Sequence, residues 1–102
     1  MTTISGKDIR KIIIACDAGM GSSVLLASTL RNQLSEYDVT VEHTPVNTIP
    51  ADADVVVCQS SLAQRARESA HGKVILPFTM FLGDPAINQL VDAVRGGGEL
   101  EG

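Results

Sequence analysis

The sequence predicts an α/β fold, a parallel sheet with helices on both faces. Two observations carry this. Ile12-Ile13-Ile14 and Val55-Val56-Val57 are unbroken β-branched runs, the pattern of strands buried on both sides. Between and after them, Leu26, Leu30 and Leu34, then Ile87, Leu90, Val91 and Val94, recur at helical spacing. Strands separated by helices require right-handed crossovers, which lay the strands parallel and cover both faces.

In chain order, residues 1–8 read as a loose lead-in. The first inner strand follows and runs through Ile14. A helix over 22–35 turns its leucines inward and leaves Arg31 and Gln33 for water. Residues 38–43 alternate, with Val39 and Val41 opposite Thr40 and Glu42, as a half-covered edge strand does. Prolines bound a loop at 45–50, and 54–58 is the second inner strand. Ser60 or Ser61 is expected to cap a helix with Leu62, Ala63, Ala66 and Ala70 inside, ended by His71-Gly72. A short strand at 73–76 stops at Pro77, and a loop covers 78–83. Asp84-Pro85 opens the last helix as N-cap and first-turn proline, and Gly96-Gly97-Gly98 closes it. Residues 96–102 read as a flexible acidic tail, and the whole of 1–102 as one domain.

Composition narrows the function. The 102 residues are 44% hydrophobic and carry a formal charge of −4. That charge opposes nucleic-acid binding, and three aromatic rings (Tyr37, Phe78 and Phe81) make no stacking platform. No apolar run is long enough to span a bilayer and no signal peptide opens the chain, so the expected location is the cytoplasm. Cys16 and Cys58 are too far apart for a CxxC pair, and His43 and His71 lack zinc-ligand spacing, so no metal or cofactor is expected.

The chemistry concentrates at Cys16-Asp17-Ala18-Gly19-Met20-Gly21-Ser22-Ser23. A cysteine at a strand tip is followed by a glycine-rich loop that opens into a helix. Backbone N–H groups and the positive helix end converge there, lowering a thiol pKa and favouring an anion. Asp17 opposes a thiolate and is expected to point away. The dinucleotide fingerprint fails because Val24 stands where its third glycine belongs. The P-loop fails because no lysine lies between Lys11 and Lys73.

Residues 12–23 resemble the active-site segment of enzyme IIB subunits of the bacterial sugar phosphotransferase system, mannitol type, with the ascorbate and galactitol types as relatives. The resemblance implies a three-layer, phosphatase-like domain with a four-stranded sheet in order 2-1-3-4. It also implies a phosphotransferase role. Cys16 would accept a phosphoryl group from a phosphohistidine of enzyme IIA and pass it to a sugar or alditol held by the membrane subunit, enzyme IIC. Asp17 to Ser23 would cradle the phosphate, and the domain would sit peripherally on enzyme IIC without entering the membrane. Low-molecular-weight tyrosine phosphatases and arsenate reductases share a similar fold but place an arginine where Ser22 stands here. A non-catalytic binding module is the third alternative. Phe78, Met80 and Phe81 either fold inward or form a docking collar beside the loop. Cys58, if its strand adjoins the first, lies near Cys16, either as a buried small hydrophobe or as an oxidisable partner.

Overall fold

A computed structural model of the chain describes residues 3–16, 22–70, 72–79 and 85–101, with the backbone alone at 16 and 22–24. The described elements are β1 (Thr3–Ser5), β2 (Lys11–Cys16), α1 (Ser22–Gln33), β3 (Thr40–Pro45), β4 (Val55–Gln59), α2 (Ala63–Ser69), β5 (Val74–Phe78), α3 (Pro85–Gly96) and β6 (Glu99–Glu101). Four of the strands form a parallel sheet in the order β3-β2-β4-β5. Counted among themselves in chain order, these four stand 2-1-3-4. Their numbers rise by one because β1, unforeseen in the sequence, precedes them.

The apolar runs sit where their composition demands. Residues 12–14 of β2 and 55–57 of β4 are fully buried, and alternate side chains enter opposite cores. One core takes Ile12, Ile14, Val55 and Val57 against α1 and α3. The other takes Ile13, Ala15, Val56 and Cys58 against the alanines of α2. Leu26, Leu30, Leu90 and the neighbouring α-helical apolar positions are buried as their spacing predicts. Among the described residues, no helix is long and apolar enough to cross a membrane.

Both ends depart from expectation. Residues 3–5 and 99–101, read as loose lead-in and flexible tail, pair as an antiparallel ribbon, with Ile4 opposite Leu100. Burial is the reason: Leu100 is buried in the α1–α3 core and Ile4 packs against it. A three-residue strand with one apolar position carries too little periodicity to announce itself. Behind the ribbon, Gly6 donates its N–H to the Gly98 carbonyl at 2.6 Å and lies against the Ala93 carbonyl at the end of α3.

Two local expectations also fail for physical reasons. Pro77 does not stop the fourth strand but lies inside β5, opposite Cys58. β5 pairs only with β4 in this sheet, and an edge strand is where a proline is tolerated. Neither Ser60 nor Ser61 caps α2 through its side chain. A 3-10 turn at Ser60–Leu62 leads in, and the Ala63 N–H bonds the Ser60 carbonyl.

The amino edge of the sheet is held by charge. The Asp54 carboxylate accepts hydrogen bonds from the backbone N–H groups of Arg10 (2.8 Å) and Lys11 (3.0 Å), fixing β4 beside β2. Lys11 reaches Asp52 at 3.1 Å and Glu42 at 3.6 Å, and these carboxylates raise its pKa. Asp54→Ala leaves two strand-entry donors without their charged acceptor and should cost about 1–2 kcal/mol in urea unfolding. Asp52→Ala removes only an exposed ion pair and should scarcely move the midpoint.

Candidate functional site

The two central strands send their chains to opposite faces. From β2 the chain passes through α1, on one core, to β3; from β4 it passes through α2, on the other core, to β5. Since β2 and β4 are neighbours, the sheet's topological switch point lies between their carboxyl ends. Open α/β sheets hold ligands in the crevice formed there. Cys16 is the last residue of β2 and stands in register with Pro45, the last of β3. Six positions later α1 begins at Ser22, so the positive end of a twelve-residue helix faces the same edge.

Of the residues singled out in the sequence, the structure brings the Cys16 backbone and the first residues of α1, Ser22 and Ser23, to one edge. Asp17, Ala18, Gly19, Met20 and Gly21 lie outside the described residues, as do Met80, Phe81, His71 and Asp84. Pro85 is the first residue of α3, as the Asp-Pro pair predicts. Phe78, a candidate for the docking collar, is instead only 3% exposed. It ends β5 opposite Gln59 and packs into the α1–α3 core, leaving no ring surface for a partner. His43 is exposed on the edge strand β3.

Cys58 is fully buried among Ile13, Ala15, Val56 and Ile75, in register with Ala15. Burial pushes its thiol up to about 11, with the positive charge of Arg67 opposing in part. Such a thiol is neutral at physiological pH and shielded from oxidants, which favours the buried-hydrophobe reading over the oxidisable one. Native protein at pH 8 should therefore leave Cys58 unlabelled by iodoacetamide, while denatured protein is labelled there; peptide mass mapping reads both states. The same shift has a stability sign. The unfolded thiol ionises near 9 and the folded one near 11, so stability from this group is full below pH 9 and falls between 9 and 11.

Two features of this edge stand out: Leu25, which the sequence reading does not single out, and Arg65, which it places on the solvated side of the second helix, with docking of an acidic partner as the lesser alternative. Leu25, in the first turn of α1, is 59% exposed. In α2, Arg65 reaches over the carboxyl end of β3, its guanidinium 3.4 Å from the Asn47 side-chain oxygen. Helical spacing alone groups Leu25 with the leucines of α1 and leaves Arg65 on a solvated face; only the topology brings both to the Cys16 edge. A separate open groove of about 810 Å³ runs along β5 between α3 and β6, lined in part by Arg67, Ile75, Gln89 and Leu100. It lies along β5, at the opposite edge of the sheet from β3.

Fold and site together define a class: a parallel α/β protein with a thiol-bearing residue at its switch point and a helix N-terminus behind it. Comparison with known proteins makes the class specific. A family model described as "PTS system, Lactose/Cellobiose specific IIB subunit" matches residues 11–93. The chain belongs to the IIB subunit family of the sugar phosphotransferase system (PTS).

Its relatives include the PTS system mannitol-specific EIICB component of Bacillus subtilis (strain 168), 37% identical over 94 residues. That alignment covers 90% of this chain and 20% of the relative. The corresponding EIICB component of Geobacillus stearothermophilus is 36% identical over 85% of this chain and 19% of its own length. A mannitol-specific EIICBA component of Vibrio cholerae is 41% identical over 82% of this chain and 13% of its own. The chain thus spans a fifth or less of the length of these relatives.

Proposed function

We propose that this chain is a phosphocarrier in which Cys16 receives a phosphoryl group from a phosphohistidine of an enzyme IIA and delivers it to a sugar or alditol held by a membrane enzyme IIC. In the first step the Cys16 sulfur attacks phosphorus. The N–P bond breaks, an S–P bond forms, and the thiol proton ends on the imidazole nitrogen. In the second, a sugar hydroxyl oxygen takes the phosphoryl group and its proton returns to sulfur. The residues of 17–21, with the Ser22 and Ser23 hydroxyls, supply the donors that hold the phosphate.

The observation that carries this reading is the position of Cys16 at the switch point, six residues before a helix N-terminus. Family membership supports it, as does the kinship to mannitol-specific components, which favours an alditol as cargo. The absence of lysine and arginine from 17–30 removes the clamp a phosphatase uses on its transition state, so transfer is favoured over hydrolysis. The same reading puts the domain on the cytoplasmic side of the membrane, docked on enzyme IIC.

Incubation with a IIA domain phosphorylated on its histidine should give a phosphoprotein whose adduct maps to Cys16 by peptide mass. Hydrolysis of p-nitrophenyl phosphate without such an adduct would overturn the reading.

A further inference from the structure

The four parallel strands end in one row. Their last residues are Pro45 in β3, Cys16 in β2, Gln59 in β4 and Phe78 in β5. Cys16 is in register with Pro45, and Gln59 with Phe78. Between the two central strands Ala15 pairs with Cys58, so one position further on Gln59 stands beside Cys16. Neither a proline ring nor a phenyl ring can donate a hydrogen bond. Gln59 is thus the one residue that shares the row with Cys16 and carries a side-chain N–H.

Alternation along β4 fixes the face of the sheet on which Gln59 lies. Val55 and Val57 enter the core covered by α1 and α3, as does Phe78, the register partner of Gln59. Gln59 therefore lies on the face where α1 packs, the helix whose N-terminus follows the Cys16 segment. It is half-buried, whereas the four residues before it in β4 are buried. Among the described residues, no hydrogen bond occupies its carboxamide. An amide partly withdrawn from water without a protein partner is no gain to the fold.

Resting on the phosphocarrier reading, we propose that the Gln59 carboxamide donates a hydrogen bond to an equatorial oxygen of the phosphoryl group as it arrives on, and leaves, the Cys16 sulfur. Neighbouring strands lie about 4.8 Å apart, so a side chain as long as glutamine spans the gap to a group carried on residue 16. No bond of Gln59 is made or broken in either step. Phosphoryl transfer spreads negative charge over three equatorial oxygens, and a donor aimed at one of them lowers the barrier. The residues after Cys16 supply donors from their own loop; Gln59 supplies one from the next strand. Its hydrogen bond is neutral, roughly half as strong as one from a guanidinium. It therefore steadies the group in transit without trapping it on the sulfur.

The test follows single-turnover phosphorylation of Cys16 by a IIA domain phosphorylated on its histidine, over a range of donor concentrations. Gln59→Leu, similar in volume but without a donor, should lower the saturating rate about tenfold and leave the half-saturating donor concentration unchanged. Gln59→Glu keeps the shape but sets a negative charge against the phosphoryl oxygens, and should lower the rate about a hundredfold. Gln59→His restores an N–H and should stay within about threefold of the parent protein.

The order of the variants separates this role from packing, because glutamate is the mildest change for a residue that only fills space. A glutamate variant faster than the leucine variant, or all three equal to the parent, would overturn the inference and leave the phosphocarrier reading standing. A raised half-saturating concentration at an unchanged saturating rate would overturn it in favour of a donor-docking contact. Thermal melts accompany the kinetics, and collapse of both the leucine and glutamate variants would make Gln59 a structural residue. No adduct on Cys16 in the parent protein would overturn the phosphocarrier reading itself.

Discussion

Cys16→Ser is expected to abolish phosphoryl acceptance, lowering the rate by about three orders of magnitude or more. The reason is the ionisation of the nucleophile. A thiol at a strand tip before a helix N-terminus is readily held as thiolate, whereas a serine hydroxyl is far less acidic and stays protonated there. The second thiol offers no rescue. Cys58 is fully buried in the α2-side core and neutral until about pH 11, so a phosphoryl donor can neither reach it nor find it ionised. Intact mass after incubation with the phosphorylated IIA domain reads the loss, and an unchanged melting temperature shows that the fold survives. Full phosphorylation of Cys16→Ser would move the acceptor to another residue.

Gly6→Ala should be the most damaging glycine-to-alanine change among the described glycines. A Cβ at Gly6 would overlap the Ala93 carbonyl, with the Gly98 carbonyl also within 3.1 Å. These are backbone atoms at the end of α3 and just before β6, so no side chain can turn aside. The expected cost is about 3 kcal/mol, roughly 10–20 °C in Tm for a domain of this size. Neighbouring glycines calibrate the claim. At Gly97, φ is +74° with open space around it, so alanine should cost about 1 kcal/mol through backbone strain alone. At Gly98 space is open and no left-handed angle is required, and alanine should be nearly neutral. Thermal melts of the three variants should fall in that order; a Gly6→Ala protein as stable as Gly98→Ala would contradict the packing.

What the sequence made legible follows from period and chemistry. Short runs of three isoleucines and three valines, β-branched throughout, favour central strands, and leucines four apart favour the inner face of a helix; both are buried as expected. The Cys16 position at a strand end was legible for the same reason, since the apolar run stops there and Ser22 begins the helix. The ribbon was not legible because its pairing joins residues almost a whole chain apart, and one leucine in an acidic tail is a weak local signal. Proline in β5 was misread because a rule for inner strands does not bind an edge. For Phe78 the inward-folding alternative holds: β5 runs two residues past the expected strand end at 76, so Phe78 is the last residue of a strand and belongs to the core. Leu25 and Arg65 belong to the edge through tertiary placement, which no local pattern encodes.

The ribbon has one more consequence. Thr3 and Glu101 are register partners, so the backbone enters and leaves about one strand spacing apart, roughly 5 Å. A polypeptide continuing on either side would meet this unit at a single point, as a cord meets a bead strung on a loop. The unit can then be carried by a longer chain, or lifted out of one, without pulling the flanking segments apart.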